Sequence, residues 1–266
     1  MSEYLVEMND ITVQFPGVLA LDHVHFDAKP GEVHVLLGEN GAGKSTIMKV
    51  LAGVNTNYEG EIIYKGEKIV SRSIEEQRER GVSIIFQELN QLKNLTVAEN
   101  IFMGRQPTKA GGQIDWKTMN RKARELLDSI HSDISEKAQV SSLSVGQMQM
   151  VEIAKALSFD CDIIIMDEPT SALTEKEVAS LFEIIDGLKK KGVAIVYISH
   201  RLEEIMKIGD RLTIFRDGKY IDTVNVKDIT IDQMVAMMVG REMTDYYPKV
   251  DVKPGEKLLE VTDIRQ

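Results

Sequence analysis

The chain has 266 residues, of which 43% are hydrophobic and 28% charged, as expected for a globular protein with an ample core. Its net charge of −10 argues against non-specific nucleic-acid binding, which needs clustered cations. No apolar run approaches the ~20 residues that span a bilayer, no secretory leader is recognisable, and the single cysteine, Cys161, excludes an internal disulfide, so the cytosol is the expected compartment.

The first third of the chain alternates short apolar segments with turns. Residues 4–15 and 21–28 predict strands of an antiparallel part, and Lys65-Gly66 predicts the turn of a hairpin over residues 61–68. The continuous apolar runs 33–37 and 82–86 predict strands that are buried on both faces.

Between the strand 33–37 and a helix predicted from Ile47 to Leu51, the chain fits the pattern G-x-x-x-x-G-K-[ST]. This run comprises Gly38, Glu39, Asn40, Gly41, Ala42, Gly43, Lys44, Ser45 and Thr46. Its glycines let backbone N–H groups turn inward around a β-phosphate, Lys44 can bridge the β- and γ-phosphates, and the Ser45 hydroxyl can bind Mg²⁺. A surface glycine loop is the alternative, and the flanking strand and helix argue against it.

From Thr96 to about Leu157 the apolar pattern becomes helical. The apolar positions that recur at spacings of three and four are Trp116, Met119, Ala123, Leu126, Leu127 and Ile130. Near the end of this region lies the pentapeptide LSVGQ, residues 143–147, in which the Ser144 hydroxyl and the Gly146 N–H stand at a helix N-terminus suited to phosphate. Alone, LSVGQ fits an ordinary N-capped helix equally well.

The apolar strand 163–166 ends in Asp167 and Glu168. Asp167 can hold Mg²⁺ through its hydration shell, and Glu168 can polarise a water for attack on a γ-phosphate. The alternative is that both carboxylates cap the next helix. After a crossover helix over residues 175–191, the strand 193–198 is followed by His200, which should emerge at the same sheet edge. Gln87 ends another apolar strand and can reach the metal or the attacking water.

The carboxyl-terminal part predicts a hairpin over residues 211–224, closed by Asp217-Gly218, and a methionine-rich helix over 231–239 that belongs to the core. Residues 258–264 match residues 5–11 at four of seven positions and follow a polar stretch, 248–257. We therefore predict one domain over residues 1–247, a linker over 248–257 and the start of a second copy over 258–266.

Taken in order, GENGAGKST, Gln87, LSVGQ, IIIMDEPTSAL and His200 resemble the ATPase subunits of ABC transporters. The phrases FPGVLALD, MDEPTSALTEKEV and YISHRLEEI are similar to the tandem ATPases of bacterial monosaccharide importers of the ribose and galactoside class. Two positions depart from the family pattern. Val145 replaces the first glycine of the commoner LSGGQ, and Thr174 stands where many members have an aspartate.

The resemblance implies a P-loop α/β core with a parallel sheet, an N-terminal antiparallel β subdomain and an inserted helical subdomain over about residues 88–160. It implies ATP and Mg²⁺ as cofactors, with Lys44, Ser45 and Thr46 on the phosphates and metal, and Asp167 and Gln87 also at the metal. It gives Glu168 the role of catalytic base.

It further implies that His200 senses the γ-phosphate and that Phe15 stacks on adenine, although a core phenylalanine is the alternative. In such proteins two domains pack head to tail, so Ser144, Gly146 and Gln147 would complete the phosphate site of the second domain.

The partners implied are the second ABC domain, membrane permease subunits and, indirectly, a periplasmic or extracellular sugar-binding protein, with the ATPase at the cytoplasmic face of the membrane. The alternatives are a tandem ABC protein acting on the ribosome or on nucleic acid, an exporter subunit and a P-loop kinase. The net charge disfavours the first, the tandem arrangement disfavours the second, and LSVGQ has no place in the third.

Overall fold

The computed structural model describes residues 3–87, 89–240, 260 and 262. The predicted linker, 248–257, lies outside the described residues, as does the predicted second copy, 258–266, apart from residues 260 and 262. None of the described helices has the length and apolar character needed to cross a bilayer.

Ten strands and eight α-helices account for most of the described chain. The strands are β1 (Val6–Phe15), β2 (Val18–Ala28), β3 (Val33–Leu37), β4 (Glu59–Tyr64), β5 (Glu67–Ile69), β6 (Val82–Ile85), β7 (Ile163–Asp167), β8 (Ala194–Ile198), β9 (Arg211–Arg216) and β10 (Lys219–Asn225). The helices are α1 (Lys44–Leu51), α2 (Ile74–Glu79), α3 (Val97–Ile101), α4 (Trp116–Ser129), α5 (Val145–Leu157), α6 (Glu175–Lys190), α7 (Leu202–Ile208) and α8 (Ile231–Val239). Short 3₁₀ turns span Val140–Ser142 and Val226–Asp228.

The strands form two sheets. An antiparallel sheet has the order β2-β1-β4-β5, and a second sheet has the order β10-β9-β3-β8-β7-β6. In the second sheet β9, β3, β8, β7 and β6 run parallel, and β10 pairs antiparallel with β9 at the edge. The α/β fold with an N-terminal antiparallel part, predicted from the sequence, is confirmed.

Both predicted hairpin turns are confirmed. Lys65 and Gly66 have φ of 52° and 81°, and Asp217 and Gly218 have φ of 51° and 74°. Two successive residues with positive φ match the right-handed twist of the flanking strands, which is why a glycine occupies the second position of each turn. The residues that flank the turns, Tyr64 with Glu67 and Arg216 with Lys219, are paired across the strands.

Every residue of β3, β6, β7 and β8 is buried, because packed elements cover both faces of the parallel sheet. On one face, a cluster that includes Met8, Phe26 and Ile47 joins α1 and the antiparallel sheet to it. On the other face, a cluster that includes Leu127 and Phe182 joins α4 and α6 to it. The carboxyl ends of the parallel strands are left open as a site.

The structure corrects three local expectations. Helix α1 begins at Lys44, one turn before the predicted Ile47. The segment from Thr96 to Leu157 is three separate helices rather than one continuous pattern, and Trp116, the first residue of α4, is 51% exposed although the periodicity placed it with the buried residues. Asp115 caps α4 through the Thr118 N–H, so the first turn of that helix lies at the surface.

Candidate functional site

A cavity of about 840 Å³ lies at the carboxyl ends of the parallel strands. Its wall consists of the G-x-x-x-x-G-K-[ST] loop after β3 together with residues that follow β6, β7 and β8 and one residue of α8. The lining residues are Gly38, Glu39, Asn40, Gly41, Ala42, Gly43, Lys44, Ser45, Thr46, Gln87, Asp167, Glu168, Ile198, His200 and Met238. The structure thus brings together the whole predicted phosphate loop and every predicted catalytic and metal-binding residue.

Two glycines of the loop are required by close packing. A Cβ on Gly38 would lie 2.3 Å from the carbonyl oxygen of Phe215. Gly43 has a φ of 98°, and a Cβ there would lie 2.4 Å from Cδ2 of Leu21. The loop is therefore clamped between β9 and β2, and this contact fixes the direction in which its N–H groups point.

The N-cap residue of α1, Gly43, has no side chain that could cap the helix. Helix α7 also lacks a side-chain cap, whereas the N-cap side chains of α2, α3, α4, α5, α6 and α8 accept a hydrogen bond from the first turn. The first N–H groups of a helix have no partner within the helix, and they attract anions. The first residues of α1, Lys44, Ser45 and Thr46, line the cavity, so their N–H groups are available to a phosphate group.

The ammonium group of Lys44 is held by the loop itself. Its Nζ donates to the carbonyl oxygens of Gly38, at 2.8 Å, and of Glu39, at 2.9 Å. Burial lowers the pKa of Lys44, and the nearby carboxylates of Asp167 and Glu168 oppose that shift. The Lys44 side chain therefore lies over the loop, at the place where a bound triphosphate would lie.

Asp167 is only 7% exposed at the end of β7. Burial raises the pKa of its carboxyl group, a hydrogen bond from Ser45 opposes the shift, and the neighbouring charge of Glu168 adds to it. A cation would relieve the cost of burying this carboxylate. Ser45 and Asp167 offer oxygen ligands, which are the kind Mg²⁺ prefers, and the Gln87 amide offers another.

Glu168 is the centre of the site. Its Oε2 accepts a hydrogen bond from Nε2 of Gln87 at 3.1 Å, and its Oε1 lies 3.1 Å from Nδ1 of His200. The residue has a φ of 48°, in the left-handed region that residues other than glycine rarely adopt, and its N–H donates to the carbonyl of Ile198 at 2.9 Å. Such backbone conformations are common at functional sites, where the surrounding structure maintains them.

The alternative that Asp167 and Glu168 merely cap the next helix is wrong. The cap of α6 is Thr174, whose hydroxyl accepts from the N–H of Glu177, while the Glu177 carboxylate accepts from the N–H of Thr174. The threonine that departs from the family pattern thus begins a helix.

The LSVGQ segment lies away from the cavity. Ser144 and Gln147 form a reciprocal capping box at the start of α5, as the N-capped helix interpretation predicts. Ser144 is exposed, Val145 is 53% exposed, and Gly146 is buried against the carbonyl of Ala172 and the carboxylate of Glu177. Neither Ser144, Gly146 nor Gln147 lines this cavity, so any phosphate they bind belongs to a different site.

Phe15 does not line the cavity either, and it is 43% exposed at the end of β1, where it pairs with Val18. The alternative of a core phenylalanine is therefore wrong, and adenine stacking stays a prediction. Met238 is a lining residue that the sequence did not reveal, because the methionine-rich helix was predicted to belong to the core, where Met234 does lie.

A cluster of acidic residues and a histidine elsewhere does not resemble a metal site. Asp27, Glu32 and His34 have ligand atoms within 4.8 Å of one another. However, Arg211 NH1 lies 2.5 Å from Asp27 and 3.3 Å from Glu32. Because the guanidinium already supplies the positive charge, the cluster is a partly buried ion-pair network.

Comparison with known proteins gives one family. The family model described as ABC transporter matches residues 21–171. A putative ribose/galactose/methyl galactoside import ATP-binding protein of Halalkalibacterium halodurans is 49% identical over 262 residues, which cover 98% of this chain and 50% of that protein. A galactose/methyl galactoside import ATP-binding protein of Photobacterium profundum is 49% identical over 99% of this chain and 52% of its own length. The chain thus spans about half the length of the curated relatives it matches.

Solved structures agree on the fold. The ADP conformation of an ATP-binding cassette of an ABC transporter superposes with a TM-score of 0.75 at 26% identity, covering 90% of this chain and all of that one. A nucleotide-free cassette superposes with a TM-score of 0.77 at 24% identity, covering 92% of this chain.

Proposed function

The chain belongs to the ABC transporter family, and from this premise we propose that it is the ATP-hydrolysing subunit of an importer for a monosaccharide of the ribose or galactose type. The observation that carries the proposal is the contact of Gln87 and His200 with Glu168 in the cavity that also holds Lys44. The names of the relatives support the substrate class.

We assign the chemistry as follows. The loop N–H groups and the Lys44 ammonium hold the β- and γ-phosphates of ATP and neutralise the charge that develops during transfer. Glu168 accepts a proton from the attacking water, and Gln87 and His200 fix the direction of its carboxylate. Ser45, Asp167 and Gln87 would hold Mg²⁺, which would supply positive charge to stabilise the transferring phosphoryl group.

The LSVGQ residues Ser144, Gly146 and Gln147 would act on the phosphate of a second ABC domain of the same full-length protein. Two features of the described chain support this proposal. The segment does not line its own cavity, and the exposed Ser144 and Val145 leave this end of α5 accessible to a partner. ATP held between two such domains would favour the closed pair, and hydrolysis would reopen it.

The shared site predicts that hydrolysis by this 266-residue chain depends on its concentration. Because a single domain cannot use its own LSVGQ segment, the form that hydrolyses ATP is a pair of chains. Specific activity should therefore rise with protein concentration. The measurement is the ATPase rate per mole of chain over a hundredfold range of concentration. Fusion to a second ABC domain should raise the activity and remove the dependence.

A matched variant makes this test specific. Gly146→Ala should lower the activity of the pair, because a Cβ there would lie 3.0 Å from the Glu177 carboxylate and 3.1 Å from the Ala172 carbonyl, a tight fit that disturbs the first turn of α5. ATP binding to the isolated chain should not change. Fast hydrolysis that is independent of concentration and insensitive to Gly146→Ala would refute the shared site.

We propose that residues 87–105, of which Glu88 lies outside the described residues, dock the membrane permease at the cytoplasmic face of the membrane. The sugar-binding protein makes no direct contact with this chain. The segment begins at Gln87, whose side chain contacts Glu168, so a contact made there is affected by the nucleotide state. It also carries two exposed apolar side chains, Leu92 (52%) and Met103 (38%), which suit an interface.

Crosslinking tests this docking surface. Cysteine at Leu92 should crosslink to a cytoplasmic permease loop in the assembled transporter, whereas cysteine at Thr223 in the β9–β10 hairpin should not. Burial raises the pKa of the single native thiol, Cys161, to about 11, so its background reactivity at neutral pH is low. Crosslinks from the hairpin position alone would overturn the assignment. An action on the ribosome or on nucleic acid is not proposed, since the net charge is −10 and the relatives are import proteins.

A further inference from the structure

We propose that Glu204 is a positioning residue for ATP hydrolysis, which holds the loop of the catalytic base and the loop of the γ-phosphate sensor in one arrangement. The proposal rests on the function proposed above and concerns a residue that does not line the cavity. Glu204 lies in α7 and is 8% exposed.

A single carboxylate oxygen accepts hydrogen bonds from three side chains on two segments of the chain. Oε2 of Glu204 accepts hydrogen bonds from Oγ1 of Thr170 at 2.9 Å, from the hydroxyl of Tyr197 at 2.8 Å and from Oγ of Ser199 at 3.3 Å. Thr170 lies two residues after Glu168, Tyr197 lies in β8, and Ser199 immediately precedes His200. The two loops are therefore joined through Glu204 behind the catalytic side chains.

The second oxygen and the backbone complete the network. Oε1 of Glu204 accepts from Arg201 NH1 at 3.1 Å, and the N–H of Arg201 donates to Oγ of Ser199 at 3.0 Å. His200 thus stands between two residues that are both tied to Glu204. Since Arg201 is the N-cap residue of α7, this pair of contacts also fixes where the helix begins.

The network needs an oxygen acceptor at this place. Thr170, Tyr197 and Ser199 are each at most 2% exposed, so their hydroxyl groups have no access to bulk water and must find protein acceptors. Burial, and then the charge of Glu204, raise the pKa of Tyr197 far above its usual range, so the phenol stays a donor. A carboxylate that accepts three hydroxyl groups forms charge-assisted bonds, which are the stronger kind.

The network would fix the positions of Glu168 and His200 relative to each other. Glu168 and His200 meet at 3.1 Å, and neither residue touches Glu204 directly. The backbone bond from the Glu168 N–H to the Ile198 carbonyl would still join the ends of β7 and β8, but loss of the acceptor would release the Thr170 and Ser199 side chains behind them. A misplacement of about 1 Å in a catalytic group can cost about 10² in rate, while the phosphate loop and ATP binding would be unaffected.

The test compares Glu204→Leu and Glu204→Gln with the parent chain. Glu204→Leu should lower kcat about 100-fold with less than a threefold change in the Kd for ATP. Glu204→Gln keeps an oxygen acceptor at the Oε2 position for the three hydroxyl groups and loses only the bond from Arg201, because its NH₂ group cannot accept, so it should retain activity within about threefold. Glu203→Leu, at the exposed neighbouring position, is the matched control and should behave as the parent.

A double-mutant cycle separates positioning from general destabilisation. In a His200→Ala background, Glu204→Leu should cause little further loss, because the two residues act on the same step. Independent, multiplicative losses would overturn the proposal. Should Glu204→Leu fail to fold, Thr170→Val and Ser199→Ala carry the same cycle, since each removes one donor to Oε2, and each should lower kcat about tenfold.

The outcomes also distinguish this proposal from the function on which it rests. A parent chain that binds ATP but never hydrolyses it, alone or fused to a second domain, would contradict the proposed function. An active parent with an equally active Glu204→Leu variant would contradict only the role of Glu204.

Discussion

Replacement of Lys44 by alanine is expected to abolish ATP hydrolysis, with a loss of about 10³-fold or more. The variant removes the point charge on the β- and γ-phosphates, and nothing in the loop replaces it. It also removes the two hydrogen bonds from Nζ to the carbonyls of Gly38 and Glu39, so ATP affinity should fall as well. The measurements are the steady-state ATPase rate and the Kd for ATP.

Lys190→Ala is the matched control for this prediction. Lys190 is an exposed lysine of α6 that pairs with Asp186 four residues earlier and lies away from the cavity. Its loss should leave turnover unchanged, because exposed ion pairs of this kind contribute about 0.5 kcal/mol or less. Normal turnover by Lys44→Ala would contradict the phosphate-loop assignment.

The second large effect is expected for Glu168→Gln, whose rate should fall by ~10²–10⁴ while ATP binding persists. The amide has the shape of the carboxylate but cannot take the proton of the attacking water. Its oxygen can still accept from Gln87, and His200 can accept from its NH₂ group after a change of tautomer, so the geometry of the site should survive.

Because binding and chemistry separate in this variant, single-turnover hydrolysis and equilibrium ATP binding should be measured side by side. Glu183→Gln, an exposed position on α6, provides the control for a change of charge alone. If binding and turnover fall together in Glu168→Gln, then Glu168 maintains the structure of the loop, and another group must act as the base.

The sequence by itself determined the local structure and the chemical inventory of the site. The glycines of the G-x-x-x-x-G-K-[ST] run predict a phosphate-binding loop, and the apolar runs 33–37, 163–166 and 193–198 predict strands buried on both faces. Since the carboxyl ends of parallel strands share one edge, the residues that follow them, Asp167 and His200 among them, were predicted to meet. The hairpin turns at Gly66 and Gly218 were also predictable from local sequence, because a glycine favours the positive φ that such turns need.

Only the tertiary structure decided which side chains touch and in what direction. The positive φ of Glu168, the entry of Met238 into the cavity and the separation of Ser144 from it depend on packing between segments far apart in the chain. The contacts of Glu204 depend on such packing as well. Its hydrogen bond with Thr170 joins residues 34 positions apart, and no periodic pattern in the sequence predicts it. Apolar periodicity reports which face of an element is buried, whereas hydrogen bonds between loops are set by how those elements pack.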